Sequence, residues 1–194
     1  DDLLSLQVPR SDPPEHDEML FIVIHQVYEL WFKEVLHELE KVKRDFSAGD
    51  LFGAIQTLKR VRTILKTSVG QLDVLETMTP MSFAAFRDRL DRASGFQSFQ
   101  FRELEFVLGY RRADMLAYHP EGSIARRALE RRLAERSLVD HFYDLLALNG
   151  VEIPDRLRRR DLSKSNEPDA AVQEALLRLY RGRPDLGILF EMMT

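Results

Sequence analysis

The sequence predicts an all-α fold, a helical bundle with long antiparallel helices, and three observations carry that prediction. Apolar residues over 19–46 recur at the helical period. The chain has only nine glycines and few β-branched runs. Capping residues, proline and glycine punctuate it at helix-length intervals. Its 194 residues, 44% apolar and 31% charged, suffice for one packed core. A single helical domain over 1–194 is therefore expected.

The lead-in, 1–18, is polar, with Leu3, Leu4 and Leu6 as docking points, and Pro13-Pro14 stops any earlier helix. MLFIVIHQVYELWFKEVLHELEKVKRDF (19–46) reads as the first helix. At about 100° per residue, Leu20, Val23, Ile24, Val27, Trp31, Val35 and Val42 fall on one apolar face. Gln26, Glu29, Lys33, His37, Glu40 and Arg44 gather opposite as a solvated stripe. A bordering row, Phe21, His25, Tyr28 and Phe32, follows i, i+4, i+7, i+11. His25 thus sits among aromatics, where an unpaired polar ring is costly.

Gly49-Asp50 breaks that helix, and Asp50 can cap a second one carrying Leu51, Ile55, Leu58, Val61, Leu65, Leu72 and Leu75. The short connection makes the pair antiparallel neighbours. Thr79-Pro80 opens a short helix with Phe83, Arg87 and Leu90 on one face. Ser94-Gly95-Phe96-Gln97 has the form of a capping box, opening a helix to about Gly109 with Phe99, Phe106 and Val107 inward. These core helices span 19–109, and peripheral helices are expected over 110–194. A turn at His119-Pro120 and Glu121-Gly122 precedes an arginine-rich helix from about Ser123. Ser137 caps the next, VDHFYDLLAL, which ends at Asn149-Gly150. A charged surface connection over 155–167 leads to helices at 168–180 and from Pro184 onward.

Composition excludes several chemistries. With no cysteine, disulfides, thiolate zinc sites and cysteine nucleophiles are ruled out, and a reducing, cytoplasmic setting is compatible. No apolar run reaches the roughly 18 residues of a membrane span, and no signal peptide is expected at the start. A net charge of −4 argues against nucleic acid as the main partner. Glu34-x-x-His37 has the spacing of carboxylate-bridged di-iron bundles, but no second such pair exists, so a solvated pair is favoured. The arginine clusters at 126–127, 131–132 and 158–160 are interleaved with acids and read as a solvated face. His119 and His141 have no companions at metal-ligand spacing. Arg87, on an apolar face, demands an anion, equally an acidic side chain or the carboxylate of a small ligand. On pattern alone His25 reads as a satisfied core histidine more readily than as a ligand contact.

Three longer motifs change those weights. HDEMLFIVIHQVYELWFKEVLHEL, LETMTPMSFAAFRDRL and ASGFQSFQFRELEFVLG, in this order, resemble the tryptophan 2,3-dioxygenase family, as does the opening DDLLSLQ. The resemblance is specific up to about Tyr110 and looser beyond it. It implies a haem-dioxygenase-like fold, haem b with its iron, and usually a homotetramer. The implied reaction inserts both atoms of O2 across the indole 2,3-bond of L-tryptophan to give N-formyl-L-kynurenine, the entry to tryptophan breakdown by the kynurenine pathway. By resemblance, His25 is the distal histidine that receives the indole N–H, Phe21 packs on the indole, and Arg87 pairs with the substrate carboxylate. Ile22, Val23, Ile24 and Phe83 join the substrate-binding set, and Leu90, Ser94 and Gly95 the pocket wall near the haem. Phe83 stands where some members have tyrosine.

The resemblance also marks what is expected elsewhere. The family's axial haem histidine lies on a helix further downstream, followed by a glycine- and threonine-rich closing segment, and is expected beyond Thr194. No metal ligand is assigned in this chain. A tyrosine-bearing segment that reaches a neighbouring subunit's site is expected before Asp1. The chain thus reads as a fragment, C-terminally incomplete, with the distal half of a haem pocket. Alone, it is expected to bind haem weakly and not to turn over. Two alternatives remain in view: a non-enzymatic helical module binding an aromatic amino acid, and a related haem enzyme acting on a substituted indole or on tyrosine.

Overall fold

In the computed structural model, which describes residues 2–90 and 98–193, the longest element is α1, His16–Ala48. It starts three residues before the apolar periodicity does, with Asp17 and Glu18 in its first turn, where carboxylates favour the positive helix end. It ends at Gly49, whose φ of 73° is the left-handed conformation that releases the chain. Asp50 then accepts from the Gly53 amide at 2.9 Å and caps α2, Leu51–Leu75. This tight link folds α2 back antiparallel on α1, as the sequence implied.

Thr79 caps α3, Pro80–Arg87, which tightens into a 3-10 turn at Asp88–Leu90. Next comes α4, Phe99–Leu108, capped by Ser98 and closed by Gly109. The capping box expected at Ser94 lies outside the described residues. A 3-10 segment, Ala113–Tyr118, leads to α5, Ile124–Ala134, capped by Ser123. Ser137 and Asp140 form a reciprocal capping box for α6, Leu138–Leu148. The chain continues through α7, Asp155–Arg158, α8, Ala170–Gly182, and α9, Pro184–Met193. All nine elements labelled among the described residues are helices, so the all-α class holds.

α1 is the hub: α2, α3, α4 and α6 all pack on it, α9 lies on α2, and α5 on α4. Val35, Val42, Phe46 and Ala54 are fully buried where α1 and α2 meet. Leu145 and Leu146 of α6 belong to the same core, so this helix is internal although it lies in the segment expected to be peripheral. Phe106, Leu129 and Leu133 make a second, smaller core between α4 and α5. No described helix is long and apolar enough to cross a membrane.

Three expectations need correction. Val23, placed on the apolar face, is 40% exposed: near it only Ile24 is a buried hydrophobic, and the packed face of α1 lies further along, at Val35, Leu39 and Val42. The stripe read as solvated is partly covered: Gln100 donates to the Glu29 carboxylate at 2.7 Å, and Arg132 donates to Glu40 at 2.5 Å. Nor are the arginines a uniformly solvated face. Arg132 bridges Glu40 and Glu103, tying α5 to α1 and α4, and Arg160 grips buried Asp140 through two bonds of 2.8 and 2.9 Å. Such paired, half-buried guanidinium groups fix how helices meet.

Candidate active site

The aromatic row of α1 and the short helix α3 meet in one cluster. The ring centroids of Phe21 and His25 are 4.0 Å apart, one helical turn along α1. Phe83 of α3 lies 5.7 Å from Phe21, and Phe86 lies 5.6 Å from Phe21 and 5.5 Å from Phe83, edge to face. Tilted and T-shaped ring pairs at these separations are individually favourable. Further along the row, Tyr28 donates to the Ser68 carbonyl of α2 at 2.7 Å, and Phe32 packs 5.5 Å from Phe101 of α4. The row therefore docks α1 against three other helices, with Phe21 as the member that meets α3.

His25 Nδ1 lies 2.7 Å from the Phe21 carbonyl oxygen. A carbonyl can only accept, so Nδ1 carries the hydrogen, and the neutral ring presents Nε2 as an acceptor. The half-buried imidazole is thereby fixed in tautomer and orientation by its own helix. The core-histidine reading is met by one nitrogen and leaves the other available to a donor.

Not all sequence-assigned residues converge. Phe21, His25 and Phe83 come together, and Arg87 follows Phe83 by one turn at the end of α3. On a helix, Val23 points some 200° away from Phe21, and its 40% exposure agrees. Ile24 is buried and Ile22 half-buried. Leu90 is half-buried in the 3-10 turn, while Ser94 and Gly95 lie outside the described residues. Arg87 is exposed, which corrects the expectation that it lies on a buried apolar face. The inward residue of α3 is Phe86, fully buried and absent from the sequence reading. The i, i+3 aromatic pair Phe83/Phe86 is the signal that could have found it. Arg87 closes α3, where a cation is favoured by the negative end of the helix.

The other candidates separate from this cluster. His37 is exposed, so Glu34-x-x-His37 gathers no ligand set, and no group of three or more His, Asp or Glu side chains among the described residues could hold a metal ion. Burial, with Arg102 and Arg126 nearby, lowers the pKa of His119. Burial, with Arg136 and Lys43, does the same for His141, whose Nδ1 meets Ser47 Oγ at 2.9 Å.

Comparison with known proteins identifies the family. A family model described as tryptophan 2,3-dioxygenase matches residues 1–129. A curated relative of that name from Herpetosiphon aurantiacus is 51% identical, covering 100% of this chain and 74% of its own length. One from Anaeromyxobacter sp. strain K is 48% identical over 98% of this chain and 71% of its own length. Another, from Caulobacter vibrioides, is 42% identical over 93% and 68% respectively. The chain belongs to the tryptophan 2,3-dioxygenase family.

Proposed function

We propose that this chain carries the substrate-facing side of a haem-dependent tryptophan 2,3-dioxygenase, which converts L-tryptophan and O2 to N-formyl-L-kynurenine. The observation that carries the reading is the His25–Phe21 hydrogen bond of 2.7 Å. It leaves an imidazole acceptor inside an aromatic cluster, the complement of an indole N–H on an aromatic ring. Phe21 and Phe83 pack the indole, His25 Nε2 accepts its N–H, and Arg87 pairs with the carboxylate. Contacts at both ends of the ligand fix its orientation and its chirality. Ile22 and Ile24 back the row without a polar role.

The side chains gathered here suit the substrate side of a haem: the rings of Phe21 and Phe83 and one imidazole with a nitrogen left for a donor. Haem b, when bound, supplies the iron chemistry that activates O2. None of the described residues is assigned as the axial ligand. The protein's own part is to bind, orient and shield the indole. Exposed Leu3, Leu4, Leu6 and Val8 on the lead-in support assembly into a homotetramer, and the cysteine-free composition supports a cytoplasmic setting.

The test is ligand discrimination by calorimetric titration of the haem-loaded protein. Arg87→Ala should weaken L-tryptophan binding by roughly ten- to a thousandfold, the loss of one charge-assisted contact. Tryptamine, which lacks the carboxylate, should bind both forms alike. Equal affinity of wild type and Arg87→Ala for L-tryptophan overturns the assignment.

A further inference from the structure

A buried carboxylate at the head of α1 is used by nothing in the reading above. Glu18 is 1% exposed. Its oxygens accept from the Arg10 amide at 2.7 Å, the Ser11 amide at 3.1 Å and the Ser11 hydroxyl. The same Ser11 oxygen accepts from the Glu15 amide at 2.8 Å. Burial works against its charge, but these donors outweigh it and hold the carboxyl below the usual range. The N-cap of α1, Glu15, makes no side-chain capping bond. Glu18 therefore spends its acceptors on the lead-in and not on its own helix end.

Two turns on, Gln26 holds the other end of the lead-in. Its Nε2 donates to the Leu6 carbonyl at 3.2 Å, and its Oε1 accepts from Gln7 Nε2. Glu18, Ile22 and Gln26 stand at i, i+4, i+8, one row on the helix surface. The row is about 12 Å long at a helical rise, and the three steps from Gln7 to Arg10 reach about 10 Å when extended. The lead-in is thus strapped antiparallel to α1 and anchored at both ends of the row. Glu18, Phe21 and His25 themselves stand at i, i+3, i+7, so the strap runs directly beside the candidate site.

We propose that Glu18 is a positioning residue for the substrate: it clamps residues 6–11 along Glu18–Ile22–Gln26 and so holds the wall beside Phe21 and His25 in place. The proposal rests on the tryptophan-binding role of that site. The test titrates L-tryptophan into haem-loaded wild type, Glu18→Gln, Gln26→Ala and the double variant, alongside amide hydrogen exchange. Each single variant should weaken binding about fivefold or more, with faster exchange of amides 6–11 and unchanged exchange in α2. The double variant should be no weaker than the worse single, because either release frees the same strap. If Glu18→Gln does not fold, Gln26→Ala, at the exposed end, decides alone. Single variants that bind within about twofold of wild type, or losses that simply add, overturn the clamp while the parent reading stands. A wild type that does not bind L-tryptophan overturns the parent reading and the clamp with it.

Discussion

At the scale of single residues, the aromatic cluster explains why one phenylalanine matters more than the motif suggested. Phe86 is fully buried and packs against both Phe21 and Phe83, so it sets the positions of those two rings. Phe86→Ala should destabilise the fold by about 3–5 kcal/mol, the usual cost of deleting a buried ring. It should also weaken L-tryptophan binding. Denaturant unfolding and titration of the surviving folded fraction check both, and an Ala variant as stable as wild type would contradict the packing role. The sequence placed Phe21 and His25 together correctly because an i, i+4 pair on a long helix has a fixed angle. It misjudged Arg87 for a physical reason. Phe83 and Arg87 stand one turn apart on α3, but the side of this helix that is buried belongs to Phe86, so Phe83 is only half-buried and Arg87 is exposed.

At the scale of elements, helix starts and stops were legible because each is local chemistry. Asp50, Thr79, Ser123 and Ser137 cap where the sequence put them. What the sequence could not show is which charges meet across elements, since the partners of Arg132 and Arg160 lie tens of residues away in sequence. The junction closing α4 tests how much a single backbone position contributes. Gly109 has φ of 103°, and a Cβ there would lie 2.6 Å from Asn166 Oδ1. That oxygen accepts from Ser137 at 2.8 Å and from Arg160 at 3.0 Å, and the Asn166 amide donates to the Gly109 carbonyl at 2.9 Å. The end of α4, the start of α6 and the segment at 160–166 thus converge on one glycine. Gly109→Ala should cost more than about 1 kcal/mol, through strain at positive φ and disruption of that junction. Gly70, inside α2 with open space at its Cβ position, should respond oppositely, with Gly70→Ala gaining up to about 1 kcal/mol. Thermal unfolding of the pair gives the signs, and equal shifts would sink the argument.

At the scale of the whole molecule, acid should loosen the fold in two stages, because its cross-ties are titratable in two ranges. Burial keeps His119 and His141 neutral with depressed pKa values, so the unfolded chain binds protons more readily than the folded one. The stability they contribute is present above the ordinary histidine value, about 6.5, and is lost as pH falls below it. Glu18, Glu40 and Asp140 form the second set. For each, burial disfavours the charge, but hydrogen bonds and neighbouring cations outweigh it and lower the pKa. Their contribution is present above about pH 4 and is lost as pH falls through their depressed values. Glu18 ties the lead-in to α1, Glu40 ties α5 to α1, and Asp140 ties α6 to Arg160. Their protonation therefore removes contacts between segments, and at Asp140 it also weakens the capping box that opens α6. The thermal midpoint should decline gently below about pH 6.5 and steeply below about pH 4. His141→Asn should flatten the upper part of that profile alone. Asp140→Asn should lower the midpoint at pH 7, because Arg160 loses its bidentate partner, and should reduce the steep acid part. An Asp140→Asn profile parallel to wild type from pH 7 to 3 would show that this ion pair does not hold the α6 end of the molecule.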